Sequence, residues 1–196
     1  MHNENIQEKK NIIRQQIKSL KKNLTVEEKK NRSNEIFSKI EQLNVFKKAK
    51  IIFTYWSLPD EVNTHESIIK WAKEKTILLP CIVEGNLILK EFKGVEYMKQ
   101  GQLNIFEPAG EIFSYYSKIE LAIIPGVAFD NLKNRMGRGK GYYDNFLKDK
   151  FIFKVGVCFD FQLLDKIPST NDDIKMDLII CDSFQPDALN HPKIIC

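Results

Sequence analysis

The sequence is poor in the residues that build metal centres and disulfide frameworks. It has four cysteines, Cys81, Cys158, Cys181 and Cys196, and three histidines, His2, His65 and His191. No pair of cysteines stands as C-x-x-C, and no Cys/His spacing matches a zinc site. Cys81, Cys158 and Cys181 lie in or beside apolar runs, where cysteine behaves as a small buried hydrophobe, so a reducing, cytoplasmic setting is expected. No apolar run approaches the length that spans a bilayer. The stretch Met1–Lys10 is too polar and charged to read as a signal peptide. Charge of one sign is also lacking: 30 Lys and Arg against 26 Asp and Glu leave a net +4. That balance argues against a nucleic-acid or membrane partner and suits a small anionic ligand. Internal repeats and low-complexity linkers are absent. With 43% hydrophobic residues, the 196-residue chain can bury a sizeable core, and residues 1–196 are expected to form one domain acting as a monomer.

What is present is an alternation of helical and strand-like segments. Ile6, Ile13, Ile17, Leu20 and Leu24 recur at helical spacing and predict a first helix with one apolar stripe. Thr25 and Glu28 form a capping box before a second helix, whose inward residues are expected to be Ile36, Phe37, Ile40 and Leu43. Residues 51–56 form a short apolar run typical of a strand buried on both faces. A helix capped by Asn63 should carry Ile68, Ile69 and Trp71. Residues 76–80 and 87–92, joined by a turn at Glu84-Gly85-Asn86, predict a hairpin. Residues 94–108 read as a long irregular connection. Further strands are predicted at 121–124, 153–159 and 177–181, with a helix opening at Gly141. The expectation is an α/β fold: a three-layer α/β/α domain with a mostly parallel central sheet and an N-terminal helical pair.

Open α/β sheets bind ligands beyond the carboxyl ends of their strands. Three such segments carry unusual residues: 57–61, 125–130 and 134–144. In the last, Gly137, Gly139 and Gly141 alternate with Arg138 and Lys140. Glycines let backbone N–H groups approach an anion, and the cations add full charge, which together describe a phosphate cradle. A basic surface turn is the plain alternative. The segment is neither a Walker A loop nor a dinucleotide fingerprint. On the first helix Lys10, Arg14, Lys18 and Lys21 or Lys22 share a face. That pattern describes a solvated face, or else a pair, Lys10 and Arg14, able to clamp a polyphosphate. Asp60 and Glu61 stand where a ligand's N–H edge or a metal would meet them. Tyr55 and Trp56 read first as core. Mg²⁺ needs only one or two carboxylates besides phosphate and water. Asp130, Asp144 and Asp177 all qualify, and spacing does not choose among them.

The run 125–130 followed by Arg135-Met136-Gly137-Arg138-Gly139-Lys140-Gly141-Tyr142-Tyr143-Asp144 closely resembles the signature of 5-formyltetrahydrofolate cyclo-ligases. Lys10-Asn11-Ile12-Ile13-Arg14, the loop from Trp56 to Thr64 and Ile105-Phe106-Glu107-Pro108 resemble further elements of that family, in the same order. Asn134 and Asn104 stand where the family usually has glycine, and asparagine tolerates positive φ better than other non-glycine residues. The resemblance implies an ATP-dependent cyclisation of 5-formyltetrahydrofolate to 5,10-methenyltetrahydrofolate, with Mg²⁺. It implies catalytic roles for Lys140 and Arg138. ATP contacts would come from Lys10, Arg14, Arg135, Gly137, Arg138, Gly139, Lys140, Gly141, Tyr142, Tyr143 and Asp144. Trp56, Glu61, Tyr142 and Tyr143 would meet the folate, and Asp144 or Asp177 the metal. The rival readings are a sugar-phosphate isomerase or CoA-transferase-like α/β enzyme that uses no ATP, and a non-enzymatic nucleotide- or RNA-binding module.

Overall fold

A computed structural model describes residues 2–101, 106–182 and 194–195. Met1, Asn104, Ile105, His191 and Cys196, named above, lie outside them. The chain opens with α1 (His2–Lys21) and α2 (Val26–Gln42). Thr25 caps α2 as its sequence dictates. Its hydroxyl accepts from the Glu28 N–H at 3.1 Å, and the Glu28 carboxylate accepts from the Thr25 N–H at 2.8 Å. Two donors that the helix start would leave unpaired are thereby satisfied. Ile36, Phe37 and Ile40 are buried, but Leu43 caps the helix end instead of continuing it, and a short α3 (Asn44–Lys48) follows.

The apolar stripe expected on α1 is only partly realised. Ile17 is buried, whereas Leu20 is exposed. The inward face runs through Lys10, Ile13, Arg14, Ile17 and Lys21, and the Lys10 side chain is almost fully covered. The reason lies in what α1 covers. It packs Ile17 against Ala128, Met136 and Ile167, outside the two clusters that cover the central sheet.

The central sheet starts with β1 (Ile51–Phe53), shorter than the apolar run that predicts it. α4 (His65–Trp71) follows, with Thr64 rather than Asn63 at its N-cap. The Asn63 side chain still accepts from the His65 N–H at 3.0 Å. β2 (Thr76–Val83) and β3 (Asn86–Glu91) form the expected hairpin. Its two turn residues, Glu84 and Gly85, both have positive φ, 50° and 78°, as a tight primed turn requires. The stretch expected to be irregular holds an antiparallel ribbon, β4 (Met98–Gln100) with β5 (Phe106–Pro108). Three-residue strands are too short to show a period, which is why the sequence does not reveal them.

Beyond lie β6 (Leu121–Pro125), β7 (Ala128–Asp130), β8 (Arg135–Met136), α5 (Tyr142–Leu147), β9 (Phe153–Cys158), β10 (Leu163–Leu164), β11 (Leu178–Cys181) and β12 (Ile194–Ile195). The seven-stranded sheet runs β12-β11-β9-β6-β1-β2-β3, parallel except for β3. Strands buried on both faces explain the continuous apolar runs. Ile52, Ile77, Leu79, Ile123, Val157 and Ile180 face the layer that contains α2, α3 and α4. Phe53, Leu78, Ala122, Ile124, Cys158 and Ile179 face α5 on the other side. A small sheet, β10-β7-β8, sits apart and had no signal in the periodicity. Among the described residues no helix is long and apolar enough to cross a membrane.

Asn134 corrects an expectation. The positive φ in its turn belongs to Lys133, at 63°. Asn134 is instead buried and donates from its side-chain amide to Asp130 at 2.9 Å. Asp130 is fully buried, and its two carboxylate oxygens also accept the N–H groups of Leu132, Asn134 and Ile167. It is therefore a structural anchor of the β7–β8 turn rather than a free metal ligand.

Candidate active site

β1 and β6 are neighbours, while the chain leaves β1 toward β2 on one side and reaches β6 on the other. This is the point where connections diverge and a crevice opens beyond the carboxyl ends. A cavity of about 200 Å³ lies there. Tyr55, Trp56, Leu58 and Glu61 enter it from the end of β1, and Pro125, Gly126 and Val127 from the end of β6. The glycine-rich segment closes one side with Arg135, Gly137, Arg138, Lys140, Gly141, Tyr142, Tyr143 and Asp144.

The segment's backbone is shaped by its glycines. Gly139 has φ 100° and Gly141 φ 70°, values costly for a residue with a Cβ. A Cβ on Gly137 would stand 3.0 Å from the Arg135 guanidinium. Arg135 itself is buried. It donates to the Pro125 carbonyl at 3.1 Å and to Asp144 Oδ2 at 2.9 Å, and lies over the Tyr143 ring at 5.4 Å. Asp144 Oδ1 accepts from the Ile174 N–H at 3.2 Å. Arg138 reaches across the cavity mouth to Asp60, at 2.5 Å, and to Glu61, at 3.2 Å. Lys140 is exposed at the cavity rim, with no ion pair among the described residues.

The first helix locks onto this segment. Arg14 Nε donates to the Gly137 carbonyl at 3.0 Å, and a Cβ on Gly139 would stand 3.4 Å from the Arg14 guanidinium. Lys10 does not line the cavity but pairs with Asp173 at 2.7 Å. Burial works against ionisation of Asp173. The hydrogen bonds from Lys10 and Thr170 outweigh it and hold the carboxyl below its ordinary pKa.

The aromatic wall has two kinds of member. Trp56 stacks on His65, centroids 3.9 Å apart, and borders the cavity. Burial lowers the pKa of His65, so the ring is neutral at pH 7. Tyr55 is core and wall at once: it is buried, yet lines the cavity, and its hydroxyl donates to the Val62 carbonyl at 3.0 Å. Tyr143 stacks on Phe53 at 5.9 Å. Burial, with Glu61 nearby, raises the pKa of both tyrosine hydroxyls, so neither is a base at neutral pH.

Of the two metal candidates the crevice receives only Asp144. Asp177 precedes β11 at the opposite end of the sheet, where its carboxylate accepts from the Lys154 N–H at 2.7 Å and pairs with the Lys154 ammonium at 2.9 Å. Four strand residues, about 13 Å, separate it from the carboxyl end of β11. Asp177 opens a strand parallel to its neighbours, so its place at the start of the predicted strand 177–181 already pointed to the amino end, away from the crevice. No cluster of three or more potential metal-ligating residues occurs among the described residues. A divalent cation here would depend on phosphate and water for most of its ligands, a pattern that fits Mg²⁺. Asp144 keeps lone pairs for such a contact, since each of its oxygens accepts one bond.

Several wall residues were not expected. Pro80, Ile82 and Leu87 come from the β2–β3 hairpin, and Glu107 from β5, where its carboxylate accepts from the Ile82 N–H at 3.2 Å. Lys21 reaches the wall from the last turn of α1. Glu107 had a signal in its recognisable short element and Lys21 in the cationic face of the first helix; the hairpin residues depend on strand pairing across the chain.

Comparison with known proteins agrees in one direction. A profile described as the 5-formyltetrahydrofolate cyclo-ligase family matches residues 6–182. A Haemophilus influenzae 5-formyltetrahydrofolate cyclo-ligase is 28% identical over 178 residues, covering 86% of this chain and 95% of the relative. The solution structure of an Aquifex aeolicus 5,10-methenyltetrahydrofolate synthetase superposes with a TM-score of 0.81 at 31% identity, covering 89% of this chain and 90% of the other. A Mycoplasma pneumoniae 5,10-methenyltetrahydrofolate synthetase superposes with a TM-score of 0.73 at 25% identity, covering 89% and 99%.

Proposed function

The chain belongs to the 5-formyltetrahydrofolate cyclo-ligase family, and from that premise we propose that it closes 5-formyltetrahydrofolate to 5,10-methenyltetrahydrofolate, driven by ATP, with release of ADP and phosphate. The observation that carries this reading is the meeting of Arg135, Arg138, Lys140 and the glycine amides with a slot walled by Tyr55, Trp56, Tyr142 and Tyr143 in one cavity. A cationic, glycine-lined end suits phosphates, and a flat aromatic slot suits a pterin.

A formamide oxygen is a poor leaving group. In the proposed route that oxygen attacks the γ-phosphorus and the bond to ADP breaks, leaving an iminium-like formyl phosphate. N10 then attacks the formyl carbon and loses its proton, and the carbon–oxygen bond breaks to release phosphate. Such a reaction needs positioning and charge neutralisation more than acid–base chemistry. Lys140, which has no ion pair to give up among the described residues, would meet the transferring group. Arg138 and the amides of Gly137, Gly139 and Gly141 would hold the other phosphate oxygens. Arg14 would fix the loop from behind, and Lys10, paired with Asp173, would anchor α1 beside it. Arg135 would fix Asp144 and Tyr143 and contribute its positive charge. Glu61, held by the Leu58 N–H at 3.0 Å, would accept from the pterin N–H edge. Trp56, Tyr142 and Tyr143 would flank the ring. Mg²⁺ carried by the nucleotide would neutralise phosphate charge, with Asp144 as the carboxylate to hold it. The partners are then ATP and the folate, with residues 1–196 acting as one cytoplasmic domain and a monomer.

The test is a coupled measurement of methenyltetrahydrofolate formation, by its absorbance, and of ADP release. Both should require ATP, Mg²⁺ and 5-formyltetrahydrofolate together. Absence of product, or ADP release indifferent to the folate, would refute the reading.

A further inference from the structure

Asp60 has no part in the scheme above, yet it is the closest partner of a side chain that does. Arg138 Nη2 lies 2.5 Å from Asp60 Oδ1, against 3.2 Å from Glu61 Oε1, and Lys21 Nζ lies 3.6 Å from Asp60 Oδ2. Two cations at the phosphate end of the cavity thus already hold a carboxylate. Glu61 and Asp60 differ in how firmly they are kept. Glu61 is 12% exposed and its other oxygen is tied to a backbone N–H, while Asp60 is 45% exposed. Asp60 is therefore the carboxylate that can withdraw. Burial disfavours its charge, but Arg138 and Lys21 outweigh that and keep it ionised.

We infer that Asp60 is a positioning residue that occupies, with its own carboxylate, the place a phosphate oxygen takes on Arg138, and yields that place when the nucleotide enters. The inference rests on the reading of Arg138 as a phosphate ligand. It says how the loop stays ordered: without an anion, Arg138 and the partly buried Lys21 would repel each other across the cavity mouth, and Asp60 bridges them. It also links the two substrates. Arg138 is shared with Glu61, so a triphosphate that draws Arg138 away frees Glu61 Oε1 for the pterin. Each substrate should then favour the other, reciprocally.

Calorimetric titration of the full chain with a non-hydrolysable ATP analogue and Mg²⁺ tests this, using wild type, Asp60→Asn, Arg138→Gln and the double variant, with Asp60→Ser as a second neutral variant should the first misfold. Removing the internal competitor should tighten nucleotide binding by about two- to fivefold, the range expected for one exposed ion pair. KM for ATP should fall by the same factor with kcat unchanged. In the Arg138→Gln background Asp60→Asn should tighten binding much less, because only the longer contact to Lys21, at 3.6 Å, is left to release. A purely structural Asp60 would weaken binding when replaced. Unchanged or weaker binding by Asp60→Asn, or equal tightening without Arg138, overturns the inference and leaves the ATP reading intact. A wild-type chain that does not bind the analogue removes both.

Discussion

Lys140→Ala is the substitution that separates chemistry from folding most cleanly. Lys140 is exposed and makes no ion pair among the described residues, so its removal leaves no buried partner unsatisfied. Surface changes of this kind alter stability by less than about 0.5 kcal/mol. Its proposed contribution appears only when charge develops on the transferring phosphoryl group. One preorganised charge contact there is worth about 3–4 kcal/mol, and at about 1.4 kcal/mol per tenfold the turnover should fall roughly 10²- to 10³-fold. KM for 5-formyltetrahydrofolate should hardly move, because the proposed reading puts that substrate on the aromatic side of the cavity, away from Lys140. The assay is the rate of methenyltetrahydrofolate formation at saturating ATP, paired with a urea unfolding curve. Turnover within about threefold of wild type, at unchanged stability, would show that Lys140 does not meet the reacting phosphate.

Other expectations follow from partners already described. Asp130→Ala strips the acceptor from four donors in a fully buried turn; a loss of about 3–5 kcal/mol in urea unfolding is expected, and a loss below about 1 kcal/mol would contradict its anchoring role. Asp177→Asn, at the far end of the sheet, should leave both kcat/KM and the Mg²⁺ requirement unchanged; a Mg²⁺ titration shifted tenfold or more would return Asp177 to the metal site. Asp173 has a depressed pKa in the fold, so its pairing with Lys10 stabilises the chain fully above the ordinary carboxylate value of 3.8 and fades as pH falls below it. The acid limb of a stability–pH curve should therefore flatten in Lys10→Met, and identical limbs would argue against the pairing.

Much of this molecule is written locally. The capping box at Thr25 and Glu28, the turn at Glu84-Gly85 and the doubly buried strands all follow from short-range chemistry. The glycine-rich segment announced itself for the same reason: its cations, glycines and aromatics are contiguous. What escaped is set by long-range placement. Asp177 stands at the floor because it opens a parallel strand, whereas Asp144 reaches the crevice only through the way α5 docks on the sheet. Leu20 belongs to a good helical stripe but faces solvent, because α1 docks through Lys10, Arg14, Ile17 and Lys21. The β4–β5 ribbon and the β10-β7-β8 sheet consist of two- and three-residue strands, held by partners rather than by propensity. Asn134 fits its turn for a different reason than expected, through a side-chain bond instead of a left-handed backbone.

The docking of α1 has a consequence for how the protein matures. Arg14 meets Gly137, and Lys10 meets Asp173, at sequence separations of 123 and 163 residues. If the loop holds phosphates as proposed, its competence to do so should wait until α1 has closed onto segments synthesised much later. During refolding, recovery of nucleotide affinity should trail the appearance of helical signal, and an uncoupled first helix would leave a well-packed sheet with a slack loop.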